Sequence, residues 1–218
     1  MKKKQKGEFG YINYYKLLQG IISFTFVIVM AVLYITGLLI FKTNKNALTV
    51  LAILVLLPAA RYIVSWIVIF PYKSSDEALY NKLREYPSKN KGWLGISAED
   101  VRNTNENDIL EPDKRKAVIV SDLVLTYSEH IMNVDFLVVR EGHVIAYSDH
   151  KKIDESYTSD YIKRLLDNSS DYKSFKFYTK EENFLKAYRE IQNNSNSDKR
   201  KVYRNDLLIV RNILPFSI

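Results

Sequence analysis

Two apolar runs decide the fold: LLQGIISFTFVIVMAVLYITGLLIF at residues 17–41 and ALTVLAILVLLPAARYIVSWIVIFPY at residues 47–72. Each run exceeds the ~20 residues that an α-helix needs to cross the roughly 30 Å hydrocarbon core of a bilayer. Only Lys42–Asn46 separates them, so the sequence predicts a transmembrane helical hairpin. The first run carries no charge and is too long for the apolar region of a cleavable signal peptide, which favours a retained anchor.

The distribution of basic residues predicts the orientation of the hairpin. The connecting loop carries only Lys42 and Lys45, whereas ten basic residues lie close to the outer ends of the two runs. Because cytoplasmic flanks carry the excess of lysine and arginine, we expect a two-span protein of the cell membrane with both termini in the cytoplasm. The ten residues are Lys2, Lys3, Lys4, Lys6, Lys16, Lys73, Lys82, Arg84, Lys89 and Lys91.

The net charge of +7 belongs entirely to the membrane part of the chain. Residues 1–72 hold eight basic residues and one acidic residue, whereas residues 73–218 hold 24 of each sign. The excess therefore predicts attraction to anionic lipid headgroups. It does not have the pattern of a nucleic-acid-binding surface, so the lipid bilayer is the expected partner and no nucleic acid is expected.

Three residues of the second run stand out as membrane residues. Folding the hairpin about its loop pairs residues whose numbers sum to about 88, which places Arg61 opposite Val27. Trp66 is expected in the cytoplasmic headgroup belt, with Arg61 ~8 Å deeper, a depth from which its guanidinium can still reach the headgroups. Pro58 removes a backbone hydrogen bond and predicts a kink. Anchoring is the favoured role, and a small transporter or channel subunit built on Arg61 and Pro58 is the alternative.

Patterns of period 2 and 3.6 in the remaining residues predict one cytoplasmic α/β or α+β domain with a mixed sheet. The first strand is apolar on both faces, which predicts a central position in the sheet. A capping box at residues 74–77, a cap at Thr158 and a second capping box at residues 179–182 predict the helix starts. The predicted strands are 117–127, 133–140, 143–148, 174–178 and 207–214.

Composition divides the chain into four parts. These are a basic cytoplasmic N-terminus at 1–16, the hairpin at 17–72, a juxtamembrane amphipathic helix and linker at 73–92, and the α/β domain at 93–218. Residues 88–112 are mostly polar, with Trp93, Leu94 and Ile96 as expected anchors and a short helix after Ser97. Residues 192–204 are polar and basic and predict an exposed loop.

The chain offers few residues for catalysis or for binding a cofactor. It contains no cysteine, which excludes disulfides, thiolate metal sites and cysteine nucleophiles. His130, His143 and His150 lack the spacing of a helical metal pair. We therefore expect no cofactor and no metal, and the leading interpretation assigns no catalytic residue.

One constellation supports an alternative. Residues of the predicted hairpin at 133–148 face each other when their numbers sum to about 283, which places Asp135 across from Ser148 and Asp149. Two carboxylates there, with Lys151 nearby, could hold a divalent cation and stabilise charge on a phosphate. This arrangement resembles the D…(D/E)-x-K motif of the restriction-endonuclease-like superfamily, and the strand–hairpin–helix–strand order over residues 117–178 resembles the core of that fold. The resemblance implies a metal-dependent phosphodiesterase or nuclease, active or degenerate.

The leading hypothesis is a non-enzymatic membrane protein. The whole chain resembles uncharacterised bacterial membrane proteins that combine a two-span hairpin with a cytoplasmic domain, an architecture that implies no particular activity. We expect the small cytoplasmic domain to interact with a protein partner, with another copy of the chain or with the inner-leaflet surface.

Overall fold

The computed structural model describes the chain in six segments and two compact units. One unit contains the residues up to Tyr11 together with Ser74–Ile218, and the other contains Ile12–Lys73. The predicted short helix after Ser97, the anchors Trp93, Leu94 and Ile96, and the last residues of the predicted juxtamembrane helix and linker at 73–92 lie outside the described residues. The described segments are residues 4–43, 45–85, 117–128, 130–169, 172–193 and 199–217.

The hairpin unit consists of two long helices, α1 (Tyr11–Phe41) and α2 (Ala47–Ile69). The Asn46 side chain caps α2 by accepting a hydrogen bond from the Thr49 N–H at 2.8 Å. The rings of Phe26 and Tyr62 stack at 5.6 Å, in agreement with the predicted pairing of depths. By length and composition, both helices could span a membrane. The prediction of two long apolar helices at the N-terminus is therefore confirmed.

The other unit is a four-stranded sheet with helices on both faces. The strands lie in the order β1-β2-β3-β4, with antiparallel pairing except between β3 and β4, which are parallel. The prediction of a mixed sheet is therefore confirmed. The elements in chain order are α3 (Glu77–Glu85), β1 (Val118–Tyr127), β2 (His130–Arg140), β3 (His143–Tyr147), α4 (Glu155–Ser169), β4 (Ser174–Tyr178), α5 (Glu181–Asn193) and α6 (Lys199–Ile213), followed by a short 3₁₀ turn (Leu214–Phe216).

Two apolar clusters cover the two faces of the sheet. Helices α4 and α6 pack on one face through Ile162, Leu166 and Ile209. Helices α3 and α5 pack on the opposite face through Leu79 and Phe184. Both faces of the strands are therefore buried, which explains why β1 and β2 are apolar almost throughout.

The ladder between β1 and β2 is interrupted at one position. Ser121 is the register partner of Phe136 and Leu123 is the register partner of Val134, and the register skips Asp122 and Asp135 between them. Asp122 adopts a left-handed backbone with φ of 56°, a conformation uncommon outside glycine but tolerated by aspartate. Across this break the side chains that face one cluster are three residues apart instead of two, as in Val120 and Leu123. The break therefore shifts the inward and outward alternation of side chains by one residue in both strands.

Strand β1 lies at an edge of the described sheet, so its predicted central position was wrong. Two segments from the ends of the chain cover that edge. The Ser121 N–H donates to the Gly7 carbonyl at 3.0 Å, and Leu125 forms an isolated bridge with Ser217. Strand β1 is apolar because helices cover both of its faces, although a strand pairs with only one of its two edges.

Residues 207–214 were predicted to form a strand and instead belong mainly to helix α6. The buried residues are Asp206, Ile209, Val210 and Ile213, a spacing of three and four that matches one helix face. The short run Leu207–Val210 resembles a strand only when it is read alone. Helix α6 also begins at Lys199, so the predicted loop at 192–204 was wrong for its last residues.

Two of the predicted helix caps were also wrong. Helix α3 begins at Glu77, where the Asp76 carboxylate accepts the Leu79 N–H at 3.0 Å, so Ser74 is not its cap. Helix α4 begins at Glu155, where the Asp154 carboxylate accepts the Tyr157 N–H at 3.0 Å. Thr158 lies fully buried inside α4. In both cases an aspartate near the predicted position accepts the free N–H of the first turn.

Candidate functional site

The break in the β1–β2 ladder brings Asp135 to the end of β3. The Asp135 carboxylate accepts the backbone N–H of Asp149 at 2.7 Å and the side-chain amide of Asn133 at 3.2 Å. Asp135 is 9% exposed, whereas Asp149 is exposed. The structure therefore places the two predicted residues next to each other, with the buried carboxyl of one holding the backbone of the other.

Asp122 of β1 and Ser75, which precedes α3, also belong to this polar cluster. The Asp122 carboxylate accepts the Ser75 N–H at 2.7 Å. The Ser75 hydroxyl lies 2.7 Å from the same carboxylate oxygen and 2.6 Å from the carbonyl oxygen of Asp135. Ser75 is only 6% exposed, and it lies two residues after the hairpin unit. Ser75, the second residue of the C-terminal part of the domain, is thus hydrogen-bonded to both aspartates of the break.

The environment of Asp135 disfavours its charged form. Burial raises the pKa of Asp135 to about 6, and the nearby carboxylates of Asp122 and Asp149 act in the same direction. The hydrogen bonds from Asp149 and Asn133 only partly oppose this effect. Burial also raises the pKa of Tyr147 to about 12, so its phenol stays neutral at physiological pH. Asp135 therefore holds its proton to a higher pH than an exposed aspartate does.

Chemically, the cluster has the carboxylates of a cation site but not its geometry. Lys151 is exposed in the turn that follows β3 and lies on the same loop as Asp149. Within the described segments, no three His, Cys, Asp or Glu side chains converge as metal ligands would. The assignment of catalytic roles to Asp135, Asp149 and Lys151 stays a prediction.

The predicted membrane residues all lie on α2. Pro58 and Arg61 are exposed in the hairpin unit, and the helix continues through Pro58. Trp66 packs edge-on against Phe70 at 5.3 Å. It also lies so close to Gly20 that a β-carbon there would be 3.1 Å from the indole nitrogen. The roles of Arg61 and Pro58 in anchoring or transport stay predictions.

Sequence reasoning missed Ser75, Asp122 and Asn133. One signal was available for Asp122, because it interrupts the apolar run 117–125 that was predicted to be buried on both faces. A charged residue in such a position is rarely buried without a partner. Ser75 offered no comparable signal, because its partners lie 47 and 60 residues away along the chain.

A second buried carboxylate lies at the opposite end of the sheet. Asp206 on α6 accepts the N–H groups of Glu141 and Gly142, both at 2.7 Å. Burial raises the pKa of Asp206 to about 6, against the opposing effect of these two bonds. Asp206 therefore fastens α6 to the turn between β2 and β3, which is a structural role.

No protein-family model, curated protein or solved structure matches this chain.

Proposed function

We propose that this chain is a two-span membrane protein whose α/β domain lies in the cytoplasm and binds a protein partner at the inner face of the cell membrane. The observation that supports this proposal is that residues on both sides of the hairpin fold into one unit. Such residues must lie on the same side of any membrane that the hairpin crosses. The ten flanking basic residues favour the cytoplasmic side.

Specific contacts hold the N-terminal flank on the domain. The ring of Phe9 stacks on Tyr80 at 4.4 Å, and Tyr80 in turn stacks on Phe136 at 6.4 Å. The Lys6 ammonium donates to the Ser217 carbonyl at 2.6 Å. Since the folded unit ends at Tyr11 and resumes at Ser74, no long linker separates the domain from either membrane helix. Such an arrangement suits a domain whose partner is also at the membrane.

Charge supports a protein partner over the lipid surface. Residues 73–218 carry 24 basic and 24 acidic side chains, so this part of the chain has no net attraction to anionic headgroups. The surface also carries large exposed aromatic groups such as Tyr127 and Phe216. Exposed aromatic side chains are enriched in protein interfaces.

The proposal is tested by photo-crosslinking with the full chain in its native membrane. A photoreactive residue is placed in turn at the exposed positions Lys152, Lys163, Lys176, Lys186 and Arg211, which sample the loop after β3, three helices and β4. We expect one protein of constant mass to crosslink from positions on one face only. Crosslinks to lipid alone, or equal crosslinking from every position, would contradict the proposal.

The proximity of Asp135 and Asp149 is the observation from which a second candidate function can be argued. A metal-dependent phosphodiesterase would use these carboxylates for a divalent cation and Lys151 for the phosphate. Its test is hydrolysis of nucleic acid and phosphodiester substrates by the purified full chain with Mg²⁺ or Mn²⁺. Turnover that Asp135→Asn abolishes and Asp154→Asn preserves would replace the first proposal with this one.

A further inference from the structure

We infer that the seating of Ser75 sets the position of the exposed loop 149–152, so that the segment leaving the hairpin controls the surface that carries Asp149 and Lys151. This inference goes beyond the proposed function, because it holds whichever partner or substrate meets the loop. It rests on a continuous set of short contacts from Ser75 through Asp135 to Asp149.

The first link joins Ser75 to the backbone of the strand break. The Ser75 hydroxyl lies 2.6 Å from the Asp135 carbonyl oxygen, and both its hydroxyl and its N–H lie 2.7 Å from Asp122 Oδ1. Asp122 and Asp135 are the residues at which the register of the β1–β2 ladder is interrupted. At this interruption Ser75 contacts both strands, Asp122 of β1 and Asp135 of β2.

The second link joins the strand break to the loop. The Asp135 carboxylate accepts the Asp149 N–H at 2.7 Å, immediately after β3 ends. The same residue is therefore held by Ser75 through its carbonyl and holds Asp149 through its side chain. A shift of Ser75 that moves the Asp135 backbone also moves its carboxylate, so we expect the bond to the Asp149 N–H to lengthen or break.

The position of the break makes this route selective. On either side of it the β1–β2 ladder is continuous and in register, from Val118 to Ser121 and from Leu123 to Tyr127. The left-handed backbone of Asp122 is a conformation that the surrounding contacts must maintain. Loss of the Ser75 contacts should therefore loosen this position while the flanking ladder stays intact.

Hydrogen exchange in the full chain, purified in detergent micelles, tests the inference. Ser75→Ala removes the hydroxyl contacts to Asp122 and Asp135 and keeps the N–H. We expect exchange of the Asp149 amide to accelerate by about fivefold or more, because the loss of a typical hydrogen bond made by the Ser75 hydroxyl destabilises the position of Asp135 by a comparable factor. Amides of β2 and β3 away from the break, such as Val138 and Ile145, should keep their protection. Ser156→Ala is the matched control, because the Ser156 hydroxyl donates to the Asp154 carboxylate at 2.8 Å on the exposed start of α4.

Thermodynamic coupling must also act in the reverse direction. Asp149→Pro removes the N–H donor to Asp135, whereas Asp149→Ala removes only the exposed carboxylate and keeps that N–H. We expect the proline variant to speed exchange of the Ser75 amide and the alanine variant to leave it unchanged. If Ser75→Ala loses protection throughout the domain, the comparison of the two Asp149 variants decides the result.

The outcomes separate clearly. With the flanking ladder protected, the inference requires faster exchange at Asp149 in Ser75→Ala and faster exchange at Ser75 in Asp149→Pro than in Asp149→Ala. If Ser75→Ala loses protection throughout the domain, the second comparison decides alone. It is overturned if Ser75→Ala loosens Ser75 and Asp76 while Asp149 keeps its full protection. It is equally overturned if Asp149→Pro and Asp149→Ala give the same exchange at Ser75. None of these results depends on whether a protein partner is found by crosslinking.

Discussion

The backbone carbonyl of Gly7 accepts the N–H of Ser121 at 3.0 Å, which joins the segment before the first long helix to the edge of the sheet. The positive φ of Gly7, 85°, is a conformation that glycine adopts without strain. One residue further along the same strand, Asp122 accepts the N–H of Ser75, which follows the hairpin in the chain. The segments that precede and follow the hairpin in sequence therefore bind neighbouring residues of β1, and this relationship leads to the first two predictions.

Removal of the N-terminal segment should weaken the domain. A protein in which residues 4–11 are joined to 74–218 through a short flexible linker should have a higher melting temperature than residues 74–218 alone. In the linked protein, Phe9→Ala should lower the free energy of unfolding by about 1 kcal/mol, because it removes the stack on Tyr80. Circular dichroism melts and urea titrations measure both effects. A linked protein with a scrambled segment is the control, and equal melting temperatures for all three would show that the segment does not contribute.

Single-cysteine labelling should place both flanks on one side of the membrane. The chain contains no cysteine, so Thr43→Cys in the hairpin loop and Lys152→Cys in the domain each give a unique thiol. In intact cells an impermeant maleimide should label position 43. A third variant, Lys4→Cys, places the thiol in the N-terminal segment. The thiols at positions 4 and 152 should react only after the membrane is opened. Labelling of position 152 in intact cells would reverse the proposed orientation, and opposite results for positions 4 and 152 would contradict the shared folded unit.

Stability should fall as the pH rises from about 4 to about 6. Folding raises the pKa of Asp135 and of Asp206 to about 6, so the folded state retains protons that the unfolded state loses in this range. The stabilisation is fully present below the unfolded pKa and is lost as pH rises through the folded one, on the order of 2 to 3 kcal/mol per carboxyl.

Urea unfolding at pH values between 4 and 7 measures this dependence. Asp135→Asn and Asp206→Asn should each flatten the decline, because the amide does not titrate. Asp160→Asn, at an exposed position of α4, should leave the slope unchanged. The prediction is contradicted if the stability of the wild-type chain rises steadily through this range and both buried variants show the same slope. Buried carboxyls that hold protons would not give that result.

Divalent cations should not stabilise the folded chain. Both oxygens of the Asp135 carboxylate already accept hydrogen bonds, from Asn133 and from Asp149. A cation would have to displace those donors, so millimolar Mg²⁺ or Mn²⁺ should leave the melting temperature of the full chain unchanged. A rise that disappears in the Asp135→Asn, Asp149→Asn double variant would favour the phosphodiesterase. The matched double variant Asp154→Asn, Asp160→Asn controls for general loss of negative charge.

The amino-acid sequence by itself determined the elements whose signal is local. The two apolar runs predict the long helices, because length and hydropathy need no tertiary partner. Glu141 and Gly142 between two alternating runs predict the hairpin turn, and its register places Asp135 near Asp149. The spacing of apolar residues around Ile162 and Phe184 predicts α4 and α5.

Only the tertiary structure decided the features that depend on distant residues. Residues 207–214 contain a short apolar run that suits a strand or a helix, and packing of Ile209 and Ile213 against the sheet selects the helix. The edge position of β1 follows from Gly7 and Ser217, which lie at opposite ends of the chain. The same holds for Ser75, whose hydrogen bonds to Asp122 and Asp135 form only after the sheet has brought residues 47 and 60 positions away into contact.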